Sequence, residues 1–207
     1  MKWSRIKIII TVIVVAILAI AAVILLKQSG TEQNIPGASE EKSSRQTPAG
    51  SKIYEDTDYG FSFFYPENFS VGAFSDAENT KTILVQNAEN TAGIQIFISA
   101  FDENITLTPE RIKKDVPDIA MSDVKSISVG QEQRSDLGVP ALRSDLVTAV
   151  SFNSNNSTGQ SREVWFVYKS DLYQISAPQL TSPDLGDLKR SGEVLLDDII
   201  NTWQWSN

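Results

Sequence analysis

Three carboxylates fall within four residues at Glu55, Asp56 and Asp58, just ahead of Gly60. Oxygen ligands packed this closely are the raw material of a calcium or small-ligand site, because hard cations collect carboxylate oxygens. The spacing is not that of an EF-hand. Counted from Asp56, position five is Gly60, and position six, which must be glycine for the loop to turn, is Phe61. Asp and Gly also favour turns for purely local reasons, so a solvated turn accounts for the same residues.

Other spacings carry less chemistry. Ser122 with Lys125, and Ser39 with Lys42, match the S-x-x-K of penicillin-binding enzymes, but the accompanying S-D-N and K-T-G elements are missing. Asp197 and Asp198 are adjacent on a helical pattern and therefore point in different directions. Arg111, Lys113 and Lys114 cluster beside Ile112 and fit a solvated helix face. Asn68, Asn104, Asn155 and Asn156 begin glycosylation sequons, which matter only in a eukaryotic secretory route. Among the large aromatics, Trp165 and Trp203 read as core, whereas Trp205 lies just past an apolar helix face and is a candidate partner surface. Histidine and cysteine are both absent. Their absence excludes thiol nucleophiles, disulfides, the usual zinc and haem ligand sets, and any Ser-His-Asp triad. An enzyme built from this chain would have to use Asp, Glu, Ser, Lys or Tyr, so a carboxylate-based hydrolase of envelope material is the catalytic alternative.

Residues 8–26, IIITVIVVAILAIAAVILL, are uncharged, with Thr11 the one polar side chain. As a helix they would span roughly 28 Å, close to the ~30 Å hydrocarbon core of a bilayer. No proline interrupts them, so every backbone group can be satisfied within the helix. Lys2, Arg5 and Lys7 precede the run, which places the N-terminus in the cytoplasm and predicts membrane lipid as a partner of this helix. The run is longer than a signal-peptide core and no small-residue cleavage site follows, so an uncleaved signal anchor is expected over residues 8–26 behind a cytoplasmic segment 1–7. Residues 27–51 are rich in Ser, Gly, Glu, Gln and Pro and read as a disordered tether, with a reach of roughly 25–30 Å.

Residues 52–207 form the one segment able to build a core. Residues 51–207 hold twelve of the 18 Lys and Arg and twenty-three of the 26 Asp and Glu, a net charge of −11. Such a field repels nucleic acid and anionic headgroups, and no nucleic-acid partner is expected.

Periodicity organises this domain. Tyr59, Phe61, Phe63 and Tyr65 alternate along one strand face, and Pro66 ends the ladder. Further strands are predicted at 71–74, 82–86, 93–101, 124–133 and 140–152, followed by a polar loop over 153–161 and a hairpin of 163–169 with 172–177 turning about Ser170 and Asp171. Thr108-Pro109-Glu110 starts a short helix limited by Pro117. Ser182-Pro183-Asp184 starts a C-terminal helix whose Leu185, Leu188, Leu195, Leu196, Ile199, Ile200 and Trp203 repeat at three and four, with Gly192 as a potential break. Strands, short helix, strands, long helix imply an α+β domain with an antiparallel sheet covered by helices.

Tyr59-Gly60-Phe61-Ser62-Phe63 followed by Tyr65-Pro66, in a domain closed by Ile199-Ile200-Asn201-Thr202-Trp203, resembles the PsbP-like family across nearly all of residues 52–207. The resemblance implies an α/β/α sandwich with the C-terminal helix across one sheet face. It also implies a binding rather than catalytic role, since members include lumenal subunits assisting a photosystem, bacterial extracytoplasmic lipoproteins and a nuclear-import factor that binds a small GTPase. The metal-binding histidines of the photosynthetic members have no counterpart here. The expectation is a single-pass, membrane-anchored extracytoplasmic binding or accessory domain that engages an envelope protein or membrane complex. No catalytic, cofactor or metal residue is assigned, and Glu55, Asp56, Asp58 and Trp205 stand as the ligand or partner candidates.

Overall fold

The computed structural model describes residues 47–76, 80–88, 93–130, 132–134, 140–144, 146–156, 159–179 and 186–206. The chain divides into two compact units, Met1–Gln46 and Thr47–Asn207. The first lies outside the described residues, and with it the predicted membrane helix 8–26 and most of the tether. Among the described residues no helix is long and apolar enough to cross a membrane.

The second unit is built on a seven-stranded antiparallel sheet and a three-stranded one. Strands β1 (Ser51–Asp56) and β2 (Phe61–Pro66) make a hairpin. Strands β3 (Phe69–Ser75), β4 (Lys81–Asn87) and β5 (Gly93–Ala100) form a meander in the large sheet. Helix α1 (Pro109–Asp115) follows, with Thr108 Oγ1 accepting from the Arg111 amide as an N-cap. Strands β6 (Ala120–Val129), β9 (Val147–Asn156), β10 (Gly159–Tyr168) and β11 (Asp171–Gln179) complete the large sheet in the order β3-β4-β5-β11-β10-β9-β6. A small hairpin, β7 (Glu132–Arg134) with β8 (Pro140–Ser144), stands apart. Helix α2 (Gly186–Thr202) leads to β12 (Gln204–Trp205), which pairs with β2.

Alternation along β10 divides the core. Val164 and Phe166 point to one face, where Ile83, Ile96, Ile98, Ile175, Leu196, Ile199 and Trp203 join them beneath α2 and the small sheet. Trp165 and Val167 point to the other, where Val150, Phe152, Leu107 and Ile112 of α1 form a smaller cluster. Helices therefore lie on both faces of the large sheet, as an antiparallel sheet with two apolar faces requires.

Several boundaries differ from the sequence reading. Within the polar tract 153–161 the strands reach further than expected: β9 runs to Asn156 and β10 starts at Gly159, opposite it, and residues 157–158 lie outside the described residues. The predicted strand 140–152 divides into β8 and β9. The β10–β11 turn is Lys169-Ser170, both at positive φ (51° and 65°), which is the primed geometry that matches strand twist. Gly192 does not break α2; it is buried, and a side chain there would meet the Pro178 and Gly93 carbonyls at 3.7 and 3.8 Å.

Candidate functional site

The acidic turn joins β1 to β2 at a point where the small sheet meets the large one. Strand alternation turns Asp56 inward and leaves Glu55 exposed on the opposite side, so the three carboxylates do not converge. Asp56 is 3% exposed and holds the turn together: its Oδ1 accepts from the Tyr59 amide at 3.2 Å and its Oδ2 from the Tyr54 hydroxyl at 2.9 Å. Gly60, at φ +65°, completes the turn in a backbone conformation that favours glycine.

The cation at this site is supplied by the protein. Lys81, the first residue of β4, reaches from the large sheet and places Nζ 2.6 Å from Asp56 Oδ2 and 3.2 Å from Asp58 Oδ2, over the Tyr59 ring at 5.4 Å. Burial alone would lower the Lys81 pKa, but the hydrogen bonds and charges of Asp56 and Asp58 outweigh it and hold the ammonium above the ordinary lysine range. Burial, followed by the hydrogen bond and charge of Asp56, pushes the Tyr54 phenol well above its usual range. Tyr54 is thus a fixed donor. Asp58, with its side chain 80% exposed, contributes little, as surface ion pairs do. The arrangement fastens two sheets together, with an ammonium where a metal ion would have to sit. Among the described residues no group of three or more Asp or Glu is placed to hold a metal.

Trp205, expected at the surface, is instead buried. It is 6% exposed, stacked on Tyr168 with ring centroids 3.8 Å apart, because β12 folds back against β2 and carries it into the core. The indole N–H groups of Trp203 and Trp205 have no hydrogen-bond acceptor. Phe61, Phe166 and Tyr173 stand edge-to-face to one or both indoles at 5.6 to 6.2 Å, a setting in which an N–H can meet a π face.

A second buried carboxylate went unrecognised in the sequence. Glu163 on β10 accepts from Ser161 Oγ (2.5 Å) and Ser176 Oγ (2.8 Å) at Oε1, and from Trp165 Nε1 (3.0 Å) at Oε2. Ser161 and Trp165 lie two residues away on the same strand face, and Ser176 is directly opposite on β11. Burial raises its pKa, and the three donors only partly offset this. The available signal was the face itself: Ser161, Glu163, Trp165 and Val167 alternate with Val164 and Phe166, which puts a glutamate in a strand covered on both sides.

The remaining motifs are dispersed. Ser122 and Lys125 flank a bulge in exposed β6, where Asp123 has φ 51° and accepts from Asn153 Nδ2 at 2.8 Å. Ser39 and Lys42 lie outside the described residues. Arg111 pairs with Glu103 and Asp115, both at 2.8 Å, and covers the Phe101 ring at 5.2 Å. Asp197 pairs with Arg162 across the β10–α2 contact at 2.8 Å.

No family model matches the chain, and no curated protein matches it. Among solved structures it is similar to the solution structure of cyanobacterial PsbP from Synechocystis sp. PCC 6803, with 13% identity over 77% of this chain and 94% of that one and a TM-score of 0.42. It is also similar to a protein from Bacteroides thetaiotaomicron solved at 1.50 Å resolution, with 12% identity over 76% of this chain and 49% of that one and a TM-score of 0.38.

Proposed function

We propose that this chain is a single-pass membrane protein whose domain stands outside the cytoplasm as a non-catalytic binding or accessory module of PsbP-like type. The observation that carries the reading is how its polar groups are used. Asp56 is neutralised by Lys81, and Glu163 is enclosed by three donors, whereas strand β3 presents an uncharged edge with Phe74 49% exposed. Two carboxylates are thus occupied inside the fold, while an uncharged strand edge faces outward. The two ends of the PsbP-like motif also meet, since Phe61 stacks on Trp203 at 4.4 Å. The anchor rests on the apolar run 8–26 and the basic residues before it.

The test is in-cell cross-linking of the full-length chain, tagged at its C-terminus, against a chain lacking residues 51–207, with the captured proteins identified by mass spectrometry. External protease on intact cells reports which side the tag occupies. The expected result is a discrete partner lost with the domain and a tag cleaved from outside. The same captured set from both chains, or a tag protected until the cells are lysed, overturns the reading.

A further inference from the structure

The large sheet has two edges, and they are built differently. β6 carries Asp123 and Lys125 and is bent by a bulge, devices that discourage another strand from adding. β3, FSVGAFS, has no charge, no proline and an unshifted register against β4. Among the described residues no strand pairs with its outer side. The Asp76 amide donates inward to the Thr80 carbonyl at 3.1 Å, so by alternation residues 70, 72 and 74 bond to β4. Phe69, Val71, Ala73 and Ser75 then turn their N–H and C=O groups outward. Such a row is a template for an added extended strand, whose N–H and C=O groups match it in place of water.

We propose that the strand is a second copy of β3: two chains pair edge to edge and antiparallel about a two-fold axis at Gly72. In this register Val71 lies opposite Ala73 of the other copy and Phe69 opposite Ser75, so each outward pair exchanges two backbone hydrogen bonds. On the other face Gly72 meets Gly72 and Ser70 meets Phe74. The exposed Phe74 ring already lies against its own Gly72, where an added Cβ would be 3.4 Å from Cε2. Two glycines at the axis leave room for both rings to close over it and shed water. The charges permit the match, because residues 69–75 carry none and Asp76 falls opposite Asn68.

Strand addition of this length is smaller than a standard interface of about 1,200–2,000 Å². Two domains at −11 also repel each other, although the repulsion is screened beyond about 8 Å at physiological salt. The pair therefore forms where a membrane tether concentrates the copies, and in this respect the inference rests on the anchored reading.

A chain without cysteine makes the test clean. Full-length chains with one cysteine each are oxidised in native membranes and the dimer is read on non-reducing gels. Gly72→Cys sits in a non-hydrogen-bonded pair with Cα atoms about 4.5 Å apart, within disulfide reach. Ser70→Cys lies about 13 Å from its counterpart, beyond that reach. The expected result is at least roughly fivefold more dimer for Gly72→Cys than for Ser70→Cys. Adding Ala73→Lys, at an exposed position, should abolish that dimer, and raising salt should increase it. Co-purification of two differently tagged chains without substitutions, from the same membranes, covers the case in which Gly72→Cys fails to fold. Equal cross-linking at the two positions, indifference to Ala73→Lys, loss with salt, or tagged chains that never co-purify overturns the pairing. A domain-dependent partner captured without self-pairing overturns this inference and leaves the binding reading standing; neither kind of partner overturns both.

Discussion

Glu163 shows how a single residue can set a pH response without any catalytic role. Its carboxyl is buried among hydroxyl and indole donors, with no ion pair among the described residues, and its pKa is raised above the ordinary glutamate range. A carboxyl whose folded pKa exceeds its unfolded value near 4.3 favours folding while protonated. That stability is fully present below the unfolded pKa and is lost as pH rises through the raised one. Glu163→Gln keeps the shape, and its amide can donate to the serine oxygens while its carbonyl accepts from Trp165. The variant should match the parent near pH 4 and exceed it in melting temperature at pH 7.5, with a gap that opens between those values. Thermal unfolding of residues 47–207 at several pH values checks this, and a gap independent of pH would assign Glu163 to packing alone.

At the scale of elements, β12 depends on a glycine in a different part of the chain. Gly60 sits at φ +65°, its carbonyl accepts from the Ser206 amide at 2.8 Å, and a Cβ there would lie 3.2 Å from the Ser206 carbonyl. Gly50 has a similar φ of +76° with nothing within 4 Å. Alanine at either position meets left-handed strain of roughly 1–2 kcal/mol. Gly60→Ala should therefore destabilise more than Gly50→Ala and shift tryptophan fluorescence through Trp205, as equilibrium unfolding of the two variants would measure. Equal losses would show that β12 moves aside freely. The same elements show what a sequence can and cannot reveal. The aromatic alternation of β2, the Thr108 cap and the apolar stripe of α2 were legible because each is a local pattern. β12 was not: two residues carry no period, and only the ladder with β2 defines it. The tract 153–161 looked like a loop because the ends of a hairpin need no apolar side chains once backbone pairing holds them. Glu55, Asp56 and Asp58 were visible as a cluster, but their fate depended on Lys81, a residue from another strand with no local mark of its role.

Across the whole domain, that lysine is one of the places where the two sheets are fastened. Asp56 belongs to the small sheet and Lys81 to the large one, both nearly buried and 2.6 Å apart. A buried pair contributes less by existing than it costs to break, because removing one partner strands the other's charge without solvent. Lys81→Met leaves the Asp56 carboxyl buried without its cation and should cost about 3–5 kcal/mol. Asp56→Asn leaves the ammonium beside Asp58, whose side chain is open to water, and should cost less. The double variant Asp56→Asn/Lys81→Met removes both charges, and its loss should fall well short of the sum of the singles, a coupling measurable by a double-mutant cycle in denaturant. Because the Lys81 pKa is raised in the fold, the parent's advantage over the double variant should persist through neutral pH and disappear only as alkali deprotonates the ammonium. Additive losses would mean that the sheets are held by aromatic packing alone, with the ion pair a passenger on an interface that Phe61, Phe63 and Trp203 already secure.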